Sequence, residues 1–559
     1  MRLLRSITLL IILASGFFGL SFPAYSNESD QSVETILSRI PVQNGGRVKP
    51  FESFARESVL YITGKTSFEK TTPTVLIWRW IARTDYWESK PLLSVYHPKI
   101  REFFKDDLIK NRVPPNIVIA NQEFVAEIQR SQDKQRKKEP MAEYDKKILE
   151  LYNKARLFYE ISRGQLPGFI PHPDDMKAAW LPLDAVLSTE GNQILSSFYP
   201  EELVVKARSS LDYFLGRFKE GDMRLSISSA QFFSDALSNL FASRDIVLDE
   251  SVLNYELLYL KSRPFHLAWI LYLIGILIWA FSKSKGKLEW AAVFVYAVGF
   301  TLHTFGFVLR CLVSGRPPVT NMYESVVWVA WGAILFSFIL WSVYKSKLIP
   351  MIASGVAAVA LLIGENLPTV LDQSISPLVP VLRSNFWLTI HVLTITLGYG
   401  AFLLNWGVAH VLIYNYAFKK GKKNLSHLTD FLYRTLQIGI ILLAAGTILG
   451  GVWAAYSWGR FWGWDPKETW ALIAVLAYIA LLHGRIAGWL DSFHVAFYSI
   501  FCFLTVVMAW YGVNFVLAAG LHSYGFGGGG IKYVASVVAV DTAFLLYARQ
   551  KYFSKFKKG

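Results

Sequence analysis

Cysteine is nearly absent: Cys311 and Cys502 are the 2 in 559 residues, both in or beside apolar stretches and in no CxxC spacing. That excludes a disulfide framework and a thiol-redox pair, and leaves a zinc site without its usual donors. Acidic residues are outnumbered, 42 Asp and Glu against 57 Lys and Arg, for a formal charge of +15. Such a balance can indicate a nucleic-acid partner, but the placement of the charge argues otherwise. In the second half the bases fall in short runs between apolar segments: Lys283, Lys285 and Lys287; Lys345 and Lys347; Lys419, Lys420, Lys422 and Lys423; Lys555, Lys557 and Lys558. Clusters of that kind mark cytoplasmic loops by the positive-inside rule. The charge reports topology rather than a ligand.

Long apolar runs are what the chain has in abundance, but only beyond about residue 262. Each is close to the ~20 residues that a helix needs to cross a bilayer core. The start, 1–26, has Arg2 and Arg5, an apolar stretch from Ile7 to Leu20, then the small residues Ala24 and Ser26. It reads as a secretory signal, with a retained anchor as the alternative. The expected organisation is a signal over 1–26, an exported domain over 27–262, and a membrane domain over 263–559. The exported part has amphipathic helical stretches at Asp145 to Tyr159 and Glu201 to Phe218, a charge-rich tract from Gln129 to Glu139, and no catalytic spacing. The fold class expected is an all-α polytopic membrane protein with about nine transmembrane helices, preceded by a mainly helical exported domain.

The nine spans are expected at 265–282, 289–309, 324–343, 349–364, 388–416, 434–454, 470–488, 493–514 and 531–548. An outside start places every strong lysine cluster inside and the segments 310–323, 365–387, 455–469 and 515–530 outside. This sorts the histidines by depth. His391 falls near the outer end of its span and His522 just beyond the outer end of another. His483 lies within the membrane nearer the cytoplasm, and His303 and His410 are intramembrane as well.

Among the outer segments, Trp458-Gly459-Arg460-Phe461-Trp462-Gly463-Trp464-Asp465-Pro466-Lys467-Glu468-Thr469-Trp470 stands out. An interfacial aromatic belt explains one or two indoles at a boundary, but not four in thirteen residues separated by glycines. Asp465 suits a helix N-cap, Pro466 the first helical position, and Glu468 the reciprocal capping acid. A loop pinned in this way could offer a flat aromatic surface to a large planar ligand. Composition alone leaves belt and platform both open.

The segment resembles the tryptophan-rich external loop, flanked by two histidines, of the haem-handling superfamily of cytochrome c assembly proteins. Within it the chain is similar to the CcsA (ResC) family, a component of the system II cytochrome c synthetase. Three further segments carry the likeness: Gly315-Arg316-Pro317-Pro318-Val319-Thr320-Asn321-Met322-Tyr323-Glu324-Ser325, Ser384-Asn385-Phe386-Trp387 before His391, and Gly520-Leu521-His522-Ser523-Tyr524. The resemblance covers roughly 260 to 530. Pro41-Val42-Gln43-Asn44-Gly45-Gly46-Arg47 more weakly resembles an extension found before this domain in some bacterial members.

The resemblance implies that haem b is held at the outer face, with His391 and His522 on the iron, as neutral imidazole allows. Trp458, Trp462, Trp464, Asp465 and Trp470 would form the surrounding platform. His483 matches the family's intramembrane histidine, a ligand to haem iron in transit, whose counterpart resides in a CcsB (ResB) membrane protein. This sequence has no convincing CcsB region, so the resemblance implies a separate partner, with an apocytochrome c bearing CxxCH as client. Arg310, Arg316 and Arg383 are candidates for the haem propionates, with lipid phosphate at the outer boundary as the alternative. The implied activity is that of a haem lyase complex in the bacterial inner membrane, adding two thiols to the haem vinyl groups. Positioning would supply most of the acceleration, and no residue stands out as a general acid or base. The rival reading is a haem transporter or chaperone serving a separate ligation protein. For an unrelated solute transporter, the sequence lacks any sign of the paired broken helices and inverted repeats that such folds show.

Overall fold

The computed structural model describes residues 28–175, 177–220, 223–282, 286–368, 370–378, 384–419, 425–517 and 530–556. The segment read as a signal and the outer histidine His522 lie outside the described residues. Contacts divide the chain near residue 261 into two compact units.

The first unit is helical around a small sheet. Its hairpin pairs Pro41–Asn44 with Arg47–Pro50, Asn44 opposite Arg47. Gly45 and Gly46, at φ +62° and +80°, supply the two left-handed residues that a tight hairpin turn requires. Gly168–Ile170 and Leu181–Pro182 complete a four-stranded sheet. These strands, two to four residues long, are too short to show a period of two in the sequence, which is why a mainly helical domain was expected. The two amphipathic stretches are the helices Glu143–Ser162 and Glu201–Glu220. They close over an aromatic core in which Trp78 meets Phe51, Phe169, Phe214 and Phe233 at centroid distances of 5.3 to 5.9 Å. Arg47, one residue past the hairpin turn, donates both guanidinium nitrogens to the buried Glu256 at 2.7 and 2.6 Å.

The second unit holds, among the described residues, nine helices long and apolar enough to cross a membrane. They are α1 (Pro264–Phe281), α2 (Lys287–Ser314), α3 (Met322–Tyr344), α4 (Leu348–Asn366), α5 (Asn385–Phe418), α6 (Ser426–Trp458), α7 (Pro466–Ile486), α8 (Ser492–Leu517) and α9 (Ile531–Phe556). Every expected span has its helix. The largest differences are at α6, which begins at Ser426 rather than 434, and at α9, which runs to Phe556 rather than 548, because these polar turns are helix-compatible though not apolar.

The hub is α5, which packs against α3, α4, α6, α8 and α9. Small residues allow this. A Cβ on Gly400 would stand 2.9 Å from the Val329 carbonyl oxygen of α3, so close backbone approach depends on its absence. Asn405, fully buried, donates to Leu432 O and Thr435 Oγ1 of α6 at 2.8 and 2.9 Å. Two helices depart from α geometry: α5 has a π turn at Leu388–Val392, and α8 ends in a π stretch at Met508–Leu517.

Candidate functional site

His391 sits in the π turn of α5, a distortion that re-aims side chains and recurs at functional sites. Its Nδ1 lies 2.8 Å from the carbonyl oxygen of Gly446 on α6. A carbonyl can only accept, so Nδ1 carries the hydrogen, and Nε2 is the nitrogen with the lone pair that a metal would use. A backbone acceptor behind an imidazole is also the usual way of fixing the orientation of a metal-ligating histidine. Beneath the ring is Gly450, where a Cβ would come within 2.6 Å of His391 Cε1. Trp453 meets the ring edge-on at 5.7 Å.

The next glycine brings in the loop. A Cβ on Gly451 would be 2.6 Å from Phe461 Cζ, so Gly450 and Gly451 receive the imidazole and a loop phenyl side by side. This Gly-Gly step, which places His391 beside the aromatic loop, was not singled out from the sequence. A glycine pair in an apolar helix immediately before an aromatic loop was the signal available.

The loop leaves α6 through Gly459 at φ +69° and enters α7 through the cap that the sequence suggested. Asp465 accepts from the Lys467 amide at 2.9 Å. Glu468 reaches back to the amides of Asp465 and Gly463 at 3.2 and 2.7 Å, and its other oxygen meets Arg460 at 3.4 Å. Arg460 also lies over the Trp458 ring at 5.8 Å. Trp462 and Trp464 stand perpendicular, centroids 5.9 Å apart. Trp458, Trp462 and Trp470 are half-buried, but Trp464 is 69% exposed with φ +56°. A bulky residue in the left-handed region costs about 1–3 kcal/mol and is found where the surroundings impose it, commonly at functional sites. Here no burial of the indole compensates.

The arginines proposed for propionates have another use. Arg310 and Arg316 converge on Glu324 at 2.7 and 3.2 Å, all three being buried. Glu324 also accepts from the amide and hydroxyl of Thr320, both at 2.9 Å. The guanidinium groups reach the carbonyls of Gln373 and Ser376 at 3.0 and 2.8 Å. Asn385, at the start of α5, donates to the Gly315 carbonyl at 3.2 Å. The arginine segment therefore knots the turns around the start of the His391 helix. Arg383 lies outside the described residues.

His483 is exposed on α7, its Nδ1 2.8 Å from the Ile479 carbonyl. The sequence places it within the membrane nearer the cytoplasm; in the structure it faces outward from the bundle, with Nε2 again the lone-pair nitrogen. The other two histidines read as intramembrane make packing bonds. His303 lies between Tyr272 OH at 3.1 Å and the Val327 carbonyl at 3.2 Å. His410 joins the Trp406 carbonyl at 2.9 Å and Asp541 at 3.3 Å.

Comparison with known proteins gives the family. Residues 319–522 match the family model described as cytochrome C assembly protein. The chain is 28% identical over 507 residues to the protein NrfI of Wolinella succinogenes, covering 86% of this chain and 53% of NrfI; it thus spans about half the length of that relative. Over 297 residues it is 34% identical to the cytochrome c biogenesis protein CcsA of Prochlorococcus marinus strain NATL2A, with 46% of this chain and 91% of that protein aligned. It is 32% identical to the CcsA of Chlorella vulgaris, over 46% of this chain and 93% of that one. With a relative above 30% identity aligned over nearly its whole length, and the matched region running through Glu324, the π turn and the tryptophan loop, the chain belongs to the CcsA family of multi-pass membrane proteins of cytochrome c biogenesis.

Proposed function

We propose that this chain binds haem b at the outer membrane face and presents it for covalent attachment to apocytochrome c. The observation that carries the proposal is the setting of His391: Nδ1–H fixed on Gly446 O, the ring seated on Gly450, and the loop packed on the adjacent glycine. An imidazole oriented this way needs no reorganisation to ligate iron. His522 is the second axial ligand, and Trp458, Trp462, Trp464 and Trp470 flank the porphyrin, with Asp465 holding the loop to α7.

Haem is the substrate. Each thiol of a CxxCH segment adds across a vinyl group: the S–C bond forms, the vinyl double bond is consumed, and the thiol proton ends on carbon, so no oxidant or reductant is needed. The chain's own residues hold the ring still and exclude alternatives, which is catalysis by position. His483, exposed on α7, suits haem shared with a second membrane protein of the CcsB type, the outward ring supplying one axial ligand. In this arrangement the lysine-rich loops are cytoplasmic, the first unit is a periplasmic domain of a bacterial inner-membrane protein, and haem lyase activity belongs to the complex.

The test is the absorption spectrum of the purified chain with its CcsB partner. His391→Ala/His522→Ala is expected to lose bis-histidine haem, and added imidazole to restore part of the spectrum in each single variant. Unchanged bis-histidine haem in the double variant overturns the assignment. A complex that binds haem normally yet forms no covalent cytochrome c would leave the chaperone reading in its place.

A further inference from the structure

We propose that Lys467 is the cation at the outer site that takes a haem propionate, in place of the arginines that the sequence suggests. The inference rests on the reading of this face as a haem site.

The cations that could take a propionate differ in how far they are already committed. Arg310 and Arg316 share the carboxylate of Glu324 and donate to loop carbonyls. Arg460 lies over Trp458 and meets Glu468. Glu468 is in turn occupied by two backbone amides. Lys467 is different. Its ammonium carries three donors, and among the described residues its hydrogen bond to a side chain is a single one, to Asn514 Oδ1 at 3.4 Å, near the outer limit of such a bond. Asn514 is turned that way because its amide nitrogen donates to the Trp510 carbonyl at 3.3 Å.

Lys467 is half-buried, in a setting where an ammonium with so little hydrogen bonding is costly. Of its two acidic neighbours in the chain, Asp465 is committed to capping the helix at the Lys467 amide, and Glu468 to the amides of Gly463 and Asp465 and to Arg460. Lys467 also stands in the first turn of α7, a 21-residue helix whose leading amides Asp465 already caps, so the N-terminal attraction left for an anion is that of the helix dipole. It is two residues from Asp465 and three from Trp464, and Asn514 belongs to the π stretch of α8, the element that leads in sequence towards His522. A carboxylate reaching this point meets an ammonium with donors to spare and a helix N-terminus, and forms a charge-assisted hydrogen bond. A haem held by axial histidines and flanked by the indoles carries two such carboxylates.

The experiment compares haem with its dimethyl ester, in which both propionates are masked, by Soret titration of the full chain with its CcsB partner. The unaltered chain is expected to bind the diacid more tightly. Lys467→Met is expected to lose about tenfold of that preference, the size of one hydrogen bond to a charged group, while keeping the bis-histidine spectrum. Lys467→Arg should recover part of it. Asn514→Ala breaks the lysine's contact to α8 without removing the charge, and should keep the preference. The proposal is overturned if Lys467→Met discriminates as the unaltered chain does, if the unaltered chain does not discriminate, or if Asn514→Ala loses as much as Lys467→Met. Absence of a bis-histidine spectrum in the unaltered chain instead removes the haem-site reading itself.

Discussion

The two units treat charge in opposite ways. In the first, many ion pairs are local and exposed, such as Arg136 with Asp133, Lys147 with Glu150 and Arg217 with Glu220, each three residues apart on a helix. Pairs of that kind contribute at most a few tenths of a kcal/mol each, and the unit's stability resides in its aromatic core. In the second, charges are fewer and committed over distance. Glu324 takes two arginines, Glu365 takes Arg263, His266 and the Trp269 indole, and Asp541 takes His410 and the Trp406 indole. Apolar surroundings exact that difference, because a polar group there has no water to fall back on. A charge in the first unit therefore says little about function. In the second, a thinly bonded cation such as Lys467 or an outward histidine such as His483 is informative.

The sharpest way to break this comparison is at Glu324. Glu324→Ala leaves two buried guanidinium groups without their carboxylate, and removing one partner of a buried pair costs about 3–5 kcal/mol. The expected result is a large fall in folded, membrane-inserted protein, measured by fluorescence-detected size exclusion. Normal yield and thermal stability would mean that water reaches the knot and that this face is not apolar.

A smaller effect is expected at Gly450→Ala. A Cβ there would overlap the His391 ring at 2.6 Å, so the ring must turn away from Gly446, or α6 must move. Folded yield should be nearly preserved, since one methyl at the edge of a bundle can be accommodated for about 1–3 kcal/mol. Haem per polypeptide should fall with it. Haem content equal to that of the unaltered chain would separate the cradle from the ligand.

Trp464 is the intermediate case, where belt and platform diverge. Trp464→Ala removes an exposed side chain from a strained backbone position, and should leave yield unchanged or slightly raised. Covalent cytochrome c formed per folded protein is expected to fall. A fall in yield with normal attachment per folded protein would return this indole to the membrane interface.

The sequence was most legible where periodicity and charge act over many residues. All nine helices, and the Asp465–Glu468 cap, could be read because apolar length, lysine placement and capping chemistry are local signals. The site was legible in its ingredients and not in its pairings. His391 and the tryptophans were named, but the acceptor that orients His391 is 55 residues away, and nothing in a carbonyl's residue type marks it. The arginines looked available because their partner Glu324 reads simply as the first-turn acid of α3. The depth of His483 could be read but not the face it occupies, because depth in a membrane and burial in a bundle are different quantities, and hydropathy reports only the first. The short strands of the first unit were missed because two to four residues carry no period.

The smallest effect is expected at Asp145, in the first unit, and it tests the comparison from the other side. Asp145 is among the few buried acids there, 2% exposed. It accepts from Lys134 Nζ at 2.9 and 3.0 Å and from the Ala142 amide at 3.0 Å, at the start of the helix Glu143–Ser162. The Lys134 ammonium, with the Ala142 amide, holds its carboxyl below the usual carboxylate range. A depressed folded value means that the ionised form is the one stabilised. The contribution is therefore present above the unfolded carboxyl's ordinary value of about 3.9, and is lost as the pH falls through the lower folded value. Asp145→Asn keeps the shape, removes the charge, and should cost about 1 kcal/mol at neutral pH, the size of one helix cap. Hydrogen exchange of the amides at the start of that helix, measured in the full chain, is the appropriate reading because it is local. The exchange rates of the two proteins should differ at pH 7 and converge as the medium is acidified below the carboxylate range. A difference that persists unchanged into acid would show that Asp145 acts by shape rather than charge. A loss of the whole chain's fold would show that the first unit depends on its buried charges as strictly as the second.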